Sequence, residues 1–171
     1  MKFDKTPDAP CHDILRFILR GHMIDIIELA RFPAVQTILA SSTCPLSDGL
    51  SPVAVRLTRE FLQNAVYRIE ANREGFYHRH QGTWLLLRSA SRSALQLLGM
   101  AIKCQTESGT RGLARQELEA WFLPDRWWEA VQMVLELLEY WSDEASDVER
   151  LGFVLKGLIQ RYQESSGRYS L

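Results

Sequence analysis

The sequence predicts an all-α domain of about five to six helices that ends in an antiparallel αα-hairpin. Three observations lead there. Prolines stand at 7, 10, 33, 45, 52 and 124, so the stretches from 53 to 123 and beyond 124 are uninterrupted. Proline is accepted in the first turn of a helix and excluded from its interior. In those stretches apolar residues recur at spacings of three and four, and no segment shows the sustained alternation of a strand.

The elements follow in order. Residues 1–12, with Pro7 and Pro10, form a flexible N-terminus. A first helix is expected from Asp13 to Arg31. Its apolar residues (Ile14, Leu15, Phe17, Ile18, Leu19, Met23, Ile24, Ile26, Ile27 and Leu29) cover most of the circumference. Such a helix is either central or missing some of its partners. Pro33 divides it from a short helix, Pro33 to Ala40, and the loop STCPLSDGLSP follows. A second long helix, Pro52 to Gly75, carries the stripe Val55, Leu62, Ala65, Val66 and Ile69, with Arg59, Glu60, Arg73 and Glu74 toward water. A third, Thr83 to Lys103, buries Leu87, Ala90, Ala94, Leu97, Leu98 and Ala101. Cys104 to Gly112, CQTESGTRG, is expected to be a turn-rich connector.

The last two helices have the clearest patterns. WWEAVQMVLELLEYW aligns Trp128, Val131, Leu135 and Leu138. Ser146 and Glu149 have the spacing of a capping box. Val148, Leu151, Leu155, Leu158 and Tyr162 then continue at alternating steps of three and four. The four-residue link SDEA turns the second helix back along the first. Residues 13–164 thus form one helical domain, and 165–171 a frayed tail.

Composition narrows the function classes. The chain has 171 residues, 46% hydrophobic and 24% charged, with a net charge of −1, which suits one soluble domain with no overall signature for polyanions. Charge is uneven: residues 1–112 carry 14 Lys/Arg against 10 Asp/Glu, and residues 113–171 carry 6 against 11. Cys11, Cys44 and Cys104 are scattered and odd in number, which argues against a disulfide framework and for a reducing compartment. No apolar run suits a signal peptide or the ~20 residues of a membrane span. The expectation is a soluble intracellular protein without a membrane role.

No catalytic or metal-binding constellation stands out. His78 and His80 are two apart, whereas helical zinc pairs are four apart, and no third ligand is near. Cys11 and His12 are adjacent, which says little, because catalytic pairs are assembled by the fold. Gly75 and Gly82 fit neither phosphate-binding glycine pattern. Arg88 and Arg92, four apart, could touch phosphate; bracing against the acidic C-terminal helices accounts for them better. The tryptophans 84, 121, 127, 128 and 141 read as packing anchors. The expectation is no enzyme and no cofactor.

HRHQGTWLLLRSASRSALQLL, followed after a connector by LPDRWWEAVQMVLELLEYWSDEASDVERLGFVLKGL, resembles the C-terminal part of the helical regulatory domain of fungal zinc-cluster transcription factors. His80, Gly82, Thr83, Trp84, Arg88 and Arg92 match one block of that pattern. Leu123, Pro124, Trp127, Val131, Tyr140, Trp141 and Asp147 match a second, and IDIIELARFP is similar to an upstream helix and proline break. The resemblance spans about residues 14–160. It implies transcription regulation in a nucleus. In that family an N-terminal domain, in which six cysteines hold two zinc ions, reads the DNA. Three scattered cysteines cannot build that cluster, so this chain is expected to lack specific DNA binding of its own. It would act as a truncated regulator through protein partners, self-association by exposed apolar helix faces, or a small-molecule effector. The alternative is a stand-alone helical interaction module, for example a dominant-negative partner of a full-length factor.

Overall fold

A helix lined with alanine and serine lets its neighbours come close, and one such helix organises this chain. The computed structural model describes residues 14–41, 51–77, 82–111 and 115–165. Among these residues there are six α-helices and no strand: α1 (Ile14–Ala40), α2 (Pro52–Asn72), α3 (Thr83–Arg111), α4 (Arg115–Phe122), α5 (Trp127–Trp141) and α6 (Ser146–Glu164). α3 is the axis. It packs against α2, α4, α5 and α6, and more lightly against α1. Its Ala90, Ala94, Ala101, Ser91 and Ser93 are buried beside Leu87, Leu97 and Leu98. Small side chains between large ones let helices on several sides interdigitate at interior density.

Polar contacts fix the helix directions. α1 runs antiparallel to α2: Arg31 meets Glu60 at one end, and Arg20 donates to the Ala71 carbonyl at the other. α3 and α6 run the same way, with Arg88 on Asp147 at the start and Gln105 donating to the Tyr162 carbonyl further on. α5 returns antiparallel to α6, as the four-residue link requires: Lys156 meets Glu139 near the turn, and Trp128 meets Tyr162 at the far end. The shared core draws on every helix, with Ile38, Phe61, Leu97, Leu118, Val134 and Leu155 all buried. Each such side chain contributes about 1.5–3 kcal/mol by leaving water.

The structure departs from the sequence reading in four places. Pro33 does not divide two helices; it lies inside α1. It is exposed, as are Leu29 and Ala30 one turn back. The hydrogen bond that proline removes therefore falls on the solvent side, where a freed carbonyl costs least. Cys104 to Arg111 is not a connector but the last two turns of α3. Lys103 pairs with Glu107 at 2.9 Å, Cys104 is buried and Gln105 reaches α6, so tertiary contacts outweigh turn-forming residues. The short α4 is an element the sequence reading did not assign. Of the two alternatives for the first helix, the structure has the one with too few partners: α1 is an edge helix resting mainly on α2. Ser146 and Glu149 form no capping box. The N-cap is Ala145, with no side-chain cap, and its carbonyl accepts from Val148 and Glu149. Ser146 is already helical there. The carboxylate of Asp147 lies at this N-terminus instead, held below the usual carboxylate range chiefly by its hydrogen bond from Arg88.

Pro52 opens α2 at its first position, where its lacking N–H costs nothing. The α4–α5 turn, Leu123 to Arg126, puts Arg126 at φ 62°, the left-handed region. Its guanidinium is held at 2.9 Å by Glu70 of α2. The tail residues 166–171, the N-terminus 1–13 and the loop 42–50 lie outside the described residues.

Gly152 of α6 faces α5, and a Cβ added there would meet the Leu138 Cβ at an ordinary 3.6 Å. Gly152→Ala should therefore stabilise the domain by about 0.5–1 kcal/mol in urea unfolding, the usual gain of alanine over glycine in a helix. Gly152→Leu should destabilise it by about 1–3 kcal/mol through overpacking.

Candidate interaction site

Three ends of the bundle share out the residues of the two sequence blocks. The first is where α3 begins and α5 ends. The Gly82 carbonyl accepts from Leu86, Thr83 is buried, and Trp84 meets Trp141 edge-on at 5.8 Å. Trp141 donates its indole N–H to the Phe76 carbonyl at 2.9 Å, as a buried indole must find an acceptor. Arg88 reaches Asp147 at 2.6 Å across an exposed surface. His80, with His78, lies outside the described residues.

The second is where α5 begins. Trp127 and Trp128 stand 5.6 and 5.7 Å from the ring of Tyr162. The Tyr162 hydroxyl donates to Glu119 at 2.9 Å, and Arg115 lies over its ring. Burial, reinforced by Glu119, pushes the phenol up to about 12. The third place holds Pro124, on the rim of a groove between α2 and α4. The described block residues therefore frame the fold from several sides; they do not converge on one reactive centre. Among the described residues no group of three or more His, Cys, Asp or Glu is placed to hold a metal ion.

Arg92 behaves differently from the expectation. It pairs not with the acidic C-terminal helices, as Arg88 does, but with α1. Its guanidinium donates to Asp25 at 3.0 Å and to Glu28 at 3.1 Å. The same two carboxylates hold Arg68 of α2, at 2.8 and 2.9 Å. Arg68 is 2% exposed and Glu28 3%. Two guanidiniums and two carboxylates thus form a closed, electrically balanced network between three helices. The sequence did carry a sign of it. Glu28 falls in the inward row Ile24, Glu28, Arg31, Val35 and Ile38. Arg68 falls in the row Phe61, Ala65, Arg68. A charge inside an apolar row needs a partner opposite.

The network has a consequence for the other side of α1. Every Lys, Arg, Asp and Glu of α1 from Leu19 onward contacts the domain: Arg20 on Ala71, Asp25 and Glu28 on the two arginines, Arg31 on Glu60. Its exposed residues are Leu19, His22, Ile26, Leu29, Ala30, Pro33, Gln36, Thr37 and Ala40. None of these is Asp, Glu, Lys or Arg. Ile26 is 67% and Leu29 70% exposed. An ordinary edge helix turns its charges to water and its apolar residues inward; α1 does the reverse on its outer stripe. Leu19, His22, Ile26 and Leu29 succeed one another at steps of three, four and three, the spacing of a helix-pairing seam.

None of the helices of the described residues is long and apolar enough to cross a membrane. No family model, no curated protein and no solved structure matches this chain.

Two outcomes are expected. Arg68→Ala should cost about 3–5 kcal/mol in urea unfolding, because it strands buried carboxylates. Arg92→Ala, whose side chain is half exposed, should cost clearly less. The raised Tyr162 makes the folded state bind its proton more tightly than the unfolded chain, whose tyrosines titrate near 10. That stabilisation is complete below pH ~10 and is lost as pH rises toward ~12, so a stability–pH profile should fall across that window and Tyr162→Phe should flatten the fall.

Proposed function

We propose that this chain is a helical regulatory module of transcription, of the zinc-cluster type but without a DNA-reading domain in this sequence, and that it works in the nucleus by protein contact. The single observation that carries the contact is the outer stripe of α1, which exposes Leu19, Ile26 and Leu29 and holds no Asp, Glu, Lys or Arg, while those charges of the helix turn inward. The transcriptional setting rests on the sequence blocks around Trp84 and Trp127. No enzymatic role enters this reading.

The occupant of the stripe is a second copy of the same helix. Charged residues beside a helix seam are what select a different partner or oppose a like one. Here the flanking Met23, Ala30 and Phe32 are uncharged, and the flanking Asp25 is already neutralised by Arg68 and Arg92. The flanking residues therefore set no net charge against a copy of this face, and no flanking charge pattern selects another protein. An isologous pair places Ile26 and Leu29 of one copy against the same row of the other.

Sedimentation should show a dimer, and Ile26→Glu with Leu29→Glu should give a monomer of unchanged helicity. The chain fused to a heterologous DNA-binding domain should change output from a reporter severalfold, and the double variant should cancel the change. A wild-type monomer would reject the self-association. A fusion that behaves like the DNA-binding domain alone would reject the regulatory role.

A further inference from the structure

The groove between α2 and α4 has a volume of about 760 Å³, and its lining includes Val55, Arg56, Arg59, Trp121, Leu123 and Pro124. That volume lies within the range of about 300–1,000 Å³ common to small-molecule sites. Its walls are apolar at Val55, Leu123 and Pro124 and aromatic at Trp121. Its charge is cationic. Arg59 sits over the Trp121 ring at 5.4 Å and has no carboxylate partner among the described residues. Arg56 has only a 3.5 Å contact with Glu60, the one carboxylate of the lining, and Glu60 is already held by Arg31 at 2.8 Å. Two guanidiniums thus face an apolar, aromatic-walled groove with little to neutralise them.

We propose that this groove binds a small organic carboxylate with a flat apolar body. The carboxylate would take the N–H donors of Arg59, and of Arg56 once it leaves its long contact with Glu60, because a guanidinium pairs best with a planar two-oxygen acceptor. The flat body would lie along Trp121, Leu123 and Pro124. No bond is made or broken. The site stands on the groove's own chemistry and goes beyond the protein-contact reading: it would hold for a monomer as well as a dimer.

The test uses 2-naphthoate and indole-3-acetate as probes, with 2-naphthalenemethanol as an uncharged control, on the full chain by calorimetry and tryptophan fluorescence. The acids should bind about tenfold more tightly than the alcohol, the usual effect of one charge-assisted hydrogen bond. Arg59→Gln should remove about that tenfold, while the exposed Arg150→Gln on α6 should change nothing. Trp121→Phe should abolish most of the fluorescence response. All variants are checked for wild-type melting, and all three sites of change are exposed, so folding should survive. Ile26→Glu with Leu29→Glu should leave acid binding intact, which separates this site from the self-association. Equal binding of acid and alcohol, acid binding unaffected by Arg59→Gln, or no binding of either acid would each overturn the proposal; so would an acidic peptide binding where both small acids fail.

Discussion

The rotational setting of α1 depends on one buried cation. Arg68, on α2, is enclosed by Asp25 and Glu28 from α1 and backed by Arg92 from α3 sharing the same carboxylates. Taking a guanidinium out of water is costly, and only close carboxylates with satisfied hydrogen bonds offset it. Such an arrangement adds little net stability over a well-packed apolar one. What it does is specify: only one rotation of α1 about its axis brings Asp25 and Glu28 to Arg68 and Arg92. That rotation turns Leu19, Ile26 and Leu29 away from the domain. The exposed stripe follows from the buried charge.

The fold was largely legible because its helices are long and their apolar rows regular. Leu62, Ala65, Val66 and Ile69 of α2 are buried as the spacing predicts, as are Val148, Leu155 and Tyr162 of α6. What could not be read depended on neighbours that only the fold brings near. Pro33 looked like a boundary because local rules take no account of which side of a helix faces water. The end of α3 looked like a turn because Gln105 and Cys104 find their partners on α6 and α4. Ser146 and Glu149 had the spacing of a cap, but the first helical carbonyl acceptor belongs to Ala145.

The candidate surfaces were legible only in part. The apolar surplus of α1 was visible as a helix with too few partners; its inward charges were not, since a single sequence does not show which row meets Arg68. Arg88 and Arg92 were recognised as braces, yet four residues of separation send them to different helices, α6 and α1. Arg59 and Trp121 are 62 positions apart, and nothing local links them. Glu60 joins the two surfaces physically. Its carboxylate is shared by Arg31 of α1 and Arg56 of the groove, so α2 holds α1 on one flank and lines the groove on another.

α1 is fastened in two unlike ways along its length. Toward Ala40 it is held by Val35 and Ile38, both fully buried in the apolar core. Between Leu19 and Glu28 it is held by ion pairs and by Arg20 on a carbonyl, with Ile24 as the buried apolar side chain of that part. Salt screens the partly exposed pair of Arg92 with Asp25, and screens the buried pair of Arg68 with Glu28 much less. From Leu19 onward apolar burial is deepest at Val35 and Ile38, so amide hydrogen exchange along that part of the helix should be slowest there. Ionic strength would therefore trim the outer contacts of Arg92 and Arg31 first, while Arg68, Glu28 and the apolar end keep the helix in its one rotational setting.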